Sequence, residues 1–148
     1  MFELITINPI YRGLINMPSE ERKVGLMEDG KFYPCPEKHI CVSTQAPKDD
    51  EKYYIEPLPL KTSVEEAKQK MLEVITSISR TEILENKKKY MRVKFTTLIL
   101  RMKDDVEIYF DDEENLIHMR SQSRVGGYDW NTNRNRINKI KKKYNELS

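Results

Sequence analysis

Asp104-Asp105-Val106-Glu107-Ile108-Tyr109-Phe110 decides how this chain is read. Val106, Ile108 and Phe110 recur at every second residue, with Glu107 and Tyr109 between them. That period belongs to a strand with one face turned toward a core. Upstream, Tyr90–Met102 shows the same period, with Met91, Val93, Phe95, Thr97 and Ile99 on one face. Thr81–Glu85 precedes it across the turn Asn86-Lys-Lys-Lys89. Downstream, the acidic turn Asp111-Asp-Glu-Glu-Asn115 leads into Leu116–Ser123. Links this short join antiparallel neighbours, so the pattern predicts an antiparallel sheet of about four strands.

Helical spacing flanks the sheet. Ser63-Val-Glu-Glu66 is a capping-box pattern, in which the serine oxygen takes an early helix N–H. Val64, Ala67, Met71, Val74, Ile75 and Ile78 then predict a helix over Val64–Arg80 with one core-facing stripe. Ile137, Ile140, Tyr144 and Leu147 mark a second helix from about Asn133. The order helix, four strands, helix implies an α+β domain with both helices on one face of the sheet. All seven prolines lie at or before position 59. Residues 1–60 are therefore expected as a long irregular wrap around 61–148, the whole of 1–148 forming a single domain. Within the wrap, Phe2–Ile7 suits a short strand, Ser19–Leu26 a helical turn, and Met27–Tyr33 a turn with strand-like flanks.

Composition narrows the function classes. The chain balances 26 basic against 24 acidic residues for a net charge of +2, which gives no general attraction to nucleic acid or membranes. Met1–Pro9 has neither a basic n-region nor a long apolar run, and no stretch approaches the roughly 20 apolar residues of a membrane span. A cytoplasmic chain is expected, with Cys35 and Cys41 as reduced, loop-packed thiols beside Ser43 and Thr44. A disulfide across that loop is possible and is more at home in exported proteins. Cys35, His39 and Cys41 lack the second half of a tetrahedral zinc set, so neither a metal nor a cofactor is expected. No G-x-S-x-G elbow, glycine-rich phosphate loop or H-E-x-x-H pattern occurs.

The polar stretch is Arg120–Arg136, with four arginines, a Gly126-Gly127 pair, Asp129 and Asn133 around one strand exit and one helix start. Arg120, Gln122 and Arg124 share a strand face. Arg134 and Arg136 sit at a helix N-terminus, where cations are unfavourable unless a carboxylate or an anionic ligand compensates. One reading is an anion pocket built from Arg120, Ser121, Ser123, Arg124, Asp129, Asn133 and Arg134. The other is a structural charge network, in which Asp104, Asp105 and Glu107 answer the arginines, Arg136 included. The network outweighs the pocket, because ion-pair networks need no function. His118 would be the base of any enzyme here, although a plain exposed strand histidine is the simpler reading. Arg134, Arg136, Lys139, Lys141, Lys142 and Lys143 form a basic run that reads as a solvated helix face rather than a nucleic-acid site.

Several motifs in order carry a resemblance: Cys41-Val-Ser-Thr44, Tyr54-Ile-Glu-Pro57, Asp104-Asp-Val-Glu107, Ile117-His-Met-Arg-Ser121, Ser123-Arg-Val-Gly126, Asp129 and Asn133-Arg-Asn-Arg136. Over roughly residues 35–145 the chain resembles the domain of unknown function 1499 family, and the resemblance implies no particular activity. It departs from the family pattern at His39-Ile40, Gln122 and Asn131-Thr132. The sequence thus points to a binding or structural module for a small anionic ligand or a protein. Neither membrane nor nucleic acid is expected as a partner. The alternative is an enzyme acting on an acidic or phosphorylated small molecule.

Overall fold

The computed structural model of the chain describes residues 23–147. Six strands and two helices follow in order: β1 (Cys41–Ser43), β2 (Leu58–Pro59), α1 (Val64–Thr76), β3 (Thr81–Asn86), β4 (Tyr90–Thr96), β5 (Lys103–Asp111), β6 (Leu116–Ser123) and α2 (Thr132–Glu146). Every pairing between these strands is antiparallel, in the order β1-β6-β5-β4-β3, with β2 also paired to β6. The sheet therefore has six strands, where the alternation predicted four. The two extra strands come from the proline-bearing N-terminal segment. They hold three and two residues, too few for a period to register, and Pro59 sits on a sheet edge where its missing donor costs nothing.

Both helices pack on one face. α1 contributes Val64, Ala67, Met71, Val74 and Ile75, and α2 contributes Ile137, Ile140 and Tyr144. They close over Met91, Val93 and Phe95 of β4, Val106, Ile108 and Phe110 of β5, and Ile117 and Met119 of β6. The Ser63 Oγ accepts from the Glu66 N–H at 3.2 Å and starts α1. The helix ends at Thr76 rather than at Arg80. Thr76 and Ser77 turn their hydroxyls onto the Leu72 and Val74 carbonyls at 2.8 and 2.6 Å, side-chain bonds that compete with continued helix. Arg80 then reverses the chain at φ 59°.

Two apolar expectations fail. β4 stops at Thr96 instead of running to Met102, and Leu98, Ile99 and Leu100 form the exposed tip of the β4–β5 hairpin. Leu147 lies past the end of α2 and is exposed as well. Of the expected N-terminal elements, Phe2–Ile7 lies outside the described residues, as does most of Ser19–Leu26. Lys23–Leu26 is not helical, and Leu26 instead bridges Phe32 around the Met27–Gly30 turn. No helix among the described residues is long and apolar enough to cross a membrane.

The opposite face of the sheet is polar and nonetheless buried. Asp105 and Glu107 of β5 stand beside Gln122 and Arg120 of β6, register partners within one pair of strands. The N-terminal segment lies over them: the Gly25 N–H donates to Glu107 at 2.6 Å, and the Pro34 carbonyl accepts from Arg120 at 3.3 Å.

Central burial and hairpin-tip exposure predict opposite sensitivities. Ile108→Ala should lower unfolding free energy by about 2–5 kcal/mol, since Ile108 is wholly enclosed between strands and helices. Ile99→Ala should stay within about 0.5 kcal/mol. Urea unfolding midpoints measure both.

Candidate functional site

Strand periodicity divides the Arg120–Arg136 stretch between two faces. Arg120 and Gln122 lie on the polar face, and Ser121 and Ser123 on the helix face. On the polar face, Arg120 Nη1 donates to Glu107 Oε2 at 3.1 Å, and the Arg120 and Glu107 side chains are 1% and 0% exposed. Tyr90 donates its hydroxyl to the other Glu107 oxygen at 2.7 Å. Arg120 Nη2 also bonds the Gln122 side-chain oxygen. Burial pushes the Glu107 carboxyl up from the usual range, and Arg120, Tyr90 and the Gly25 N–H pull it back only in part. The same burial lowers the Arg120 guanidinium and raises the Tyr90 phenol. Arg120 Nε is buried without a hydrogen-bond partner. Beside this pair, Asp105 takes Arg124 in a two-point contact at 3.0 and 3.1 Å and Arg92 at 3.2 Å.

On the helix face, Asn133 is the hub. Its Oδ1 accepts from Ser121 at 2.6 Å and from Arg136 at 2.9 Å. Its amide nitrogen lies within donating reach of the Ile40 carbonyl at 3.0 Å, Ser123 at 2.9 Å and Asp129 at 2.7 Å. One wholly buried side chain thereby ties α2 to β6 and to the segment before β1. Asp129 supplies the carboxylate that the start of α2 requires: its oxygens accept from the Asn131 and Asn133 backbone N–H groups at 2.9 and 3.4 Å. Arg136 reaches back to Asp104 at 2.5 Å and lies over the Phe95 ring. Arg134 turns away to the carbonyls of Glu51, Lys52 and Tyr54. The arginines therefore do not converge on one point. Arg120 and Arg124 share the polar face, while Arg134 and Arg136 brace α2.

A cavity of about 560 Å³ opens on the polar face beneath the N-terminal segment. Lys23, Met27, Tyr33, Pro34, Pro36, Lys38 and Ile40 line one side of it, and Arg120, Gln122, Ser123 and Arg124 the other. Of the residues singled out in the sequence as ligand contacts, Arg120, Ser123 and Arg124 reach this cavity. Ser121, Asp129, Asn133 and Arg134 do not line it. Lys23 and Lys38 were not legible as site residues, because nothing in the sequence says where an irregular segment crosses a sheet.

The thiol loop differs from expectation. Cys35 and Cys41 are joined in a disulfide rather than held as free thiols. The bond closes the loop carrying Pro36, Lys38 and Ile40, with Pro34 just before it, so it braces one cavity wall and leaves no thiolate for zinc or for nucleophilic chemistry. His118 is buried rather than exposed, its Nδ1 bonded to the Thr44 hydroxyl at 2.8 Å. The same Thr44 oxygen accepts from the Met119 N–H. Asp111, Glu114 and His118 gather their ligand-capable atoms within 4.8 Å of one another, a trio that sequence spacing concealed. Ser43 and Thr44 fasten β1 to β6 and its surroundings; neither borders the cationic cavity.

Residues 31–143, well over half of the chain, match the family model described as protein of unknown function (DUF1499). No curated protein matches the chain.

The buried pair generates a mutational cycle. Arg120→Met alone should cost about 3–5 kcal/mol by stranding Glu107, and Arg120→Met with Glu107→Gln should recover most of that loss. Glu107 has its pKa raised by folding, so its contribution is complete below the unfolded carboxylate value of about 4.3 and is lost as pH rises through the folded value. The wild type should therefore lose stability relative to Glu107→Gln across that window. A difference independent of pH would contradict the shift. Asn133→Ala, which orphans several buried groups at once, should cost about 2–3 kcal/mol in the same unfolding assay.

Proposed function

The chain belongs to the DUF1499 family, and we propose that it is a binding module whose cavity under Arg120 and Arg124 takes a small anionic ligand. One observation carries this reading: four cationic side chains, Lys23, Lys38, Arg120 and Arg124, line the cavity, and no acidic residue is among its described lining. The carboxylates that answer Arg120 and Arg124 lie in β5, outside that lining. The remaining wall is apolar, from Met27, Tyr33, Pro34, Pro36 and Ile40, so the ligand that fits has a carboxylate or phosphate head and an apolar body. Its volume lies in the usual range of small-molecule sites.

Binding is favoured over catalysis, because the described lining sets no carboxylate, imidazole or free thiol beside its lysines and Tyr33. The basic run of α2 argues weakly for nucleic acid: Arg134, Arg136 and Lys141 are already committed to Tyr54, Asp104 and Glu56. The Cys35–Cys41 bond favours an oxidising compartment over the cytoplasm that the sequence suggested.

Thermal-shift measurement with inorganic phosphate, citrate and an aryl phosphate tests the reading. A ligand at about a hundredfold excess over its Kd should add about 2.7 kcal/mol, a rise of several degrees. Arg124→Ala should abolish that rise, and no rise with any anion would refute the site. Cys35→Ser, which frees the cavity wall, should weaken binding roughly tenfold, about 1.4 kcal/mol, in calorimetric titration.

A further inference from the structure

The β4–β5 hairpin presents an apolar tip that nothing described in the chain covers. Leu98, Ile99 and Leu100 are 65%, 87% and 75% exposed. Three consecutive large aliphatic side chains at the end of a strand pair serve no core, and their hydration is unfavourable. They do not stand alone. The register Phe95–Asp104–Ser123 across three strands puts the hairpin tip and the exit of β6 at one end of the sheet. The Arg124 N–H bonds the Lys103 carbonyl there at 3.0 Å. Thr132, the first residue of α2, borders the same small cleft as Leu98. The turn just before it carries Tyr128 and Trp130, in edge-to-face contact and 52% and 77% exposed. Among the described residues, five of the six exposed large hydrophobics thus belong to this end.

Charge at this end is mainly basic, its exposed acid Glu82 being tied to Lys94. Arg101 and Lys103 flank the tip, and Arg80 bonds the Thr96 carbonyl at its base. Residues 96–103 contain no acid. The acid of the neighbouring turn, Asp129, is turned onto the backbone of α2.

We propose that this end of the sheet docks on the surface of an anionic phospholipid bilayer. The aliphatic tip enters the acyl boundary, Tyr128 and Trp130 sit at headgroup level, and Arg80, Arg101 and Lys103 face lipid phosphates. Shape decides for a bilayer over a protein partner. A convex tip of three residues buries far less than the about 800 Å² per partner of a stable specific interface, whereas a fluid bilayer closes around it. No spanning helix is required for such contact.

Trp130 is the only tryptophan in the chain and reports on the contact directly. The full chain is mixed with vesicles of phosphatidylcholine, with or without phosphatidylserine, and followed by sedimentation and by Trp130 emission. Binding to the serine-containing vesicles, with a blue shift and quenching by brominated lipid, is expected. Ile99→Asp should weaken it by at least about tenfold, and Arg101→Glu with Lys103→Glu should do likewise, at unchanged melting midpoint. Absence of binding overturns the proposal, as does equal binding to neutral vesicles or binding indifferent to Ile99→Asp. A concentration-dependent dimer that Ile99→Asp dissolves, without vesicle binding, overturns it in favour of a second copy. None of these variants lines the cationic cavity, so failure here leaves the ligand reading standing on its own assay.

Discussion

The salt bridge between Glu107 and Arg120 is the constraint around which the rest of the molecule is arranged. Both side chains are enclosed, and removing two charges from water is a large penalty that their mutual attraction offsets only with further hydrogen bonds. Those bonds come from Tyr90 on β4, Gly25 and Pro34 in the N-terminal segment, and Gln122 two residues along β6. Satisfying one ion pair thus recruits three strands and the covering segment. The pair also specifies register. A slip of one residue between β5 and β6 would turn Arg120 toward Val106 and Ile108 and leave Glu107 without its cation. Its contribution is better understood as specificity than as net stability, since an apolar pair of similar volume would carry no desolvation penalty.

The helix face is organised by a different chemistry. Asn133 and Asp129 are neutral-amide and carboxylate anchors that let α2 begin beside a strand exit without a side-chain cap of its own. The residue at the cap, Asn131, and its predecessor Trp130 both adopt positive φ, which aims the Asp129 oxygens at the first free N–H groups. Arg136 then links Asp104 to Ser121 and Asn133. Ionic partners on the two faces alternate along β5, with Asp104 serving the helix and Asp105 and Glu107 serving the polar face.

The period-two runs made most of this fold legible before any coordinates. β6 appears over the residues its alternation marks, and the stripes of α1 and α2 enter the core, apart from Leu147 at the extreme end. What stayed hidden needed pairing information. β1 and β2 are strands only because β6 offers them an edge. Leu98–Leu100 continues the apolar look of β4, yet a pattern cannot state that the chain has already reached its turn. His118 occupies the polar face, and only the docking of Thr44 makes that position dry. Cys35 and Cys41 are six positions apart, a separation compatible with free thiols or a bond, and the loop geometry decided it. The arginines were visible as a polar excess, but which acid each meets depends on register.

Why the cavity lies on the polar face follows from how such a face can be covered. A helix presents an apolar stripe and would offer Glu107 and Arg120 nothing beyond the partners they already have within the sheet. An irregular segment presents backbone N–H and carbonyl groups instead, and it can meet a carboxylate at Gly25 and a guanidinium at Pro34. Such a segment touches the sheet at points rather than along a line. Prolines at 34 and 36 and the disulfide at 35 stiffen it, so the space between contact points does not collapse as an apolar interior would. Cationic side chains then border a gap whose balancing carboxylates are held in the strand behind. Because the covering segment is what satisfies the ion pair, the walls of the cavity and the integrity of the sheet are coupled. Any ligand that binds there is expected to stabilise the fold along with the site.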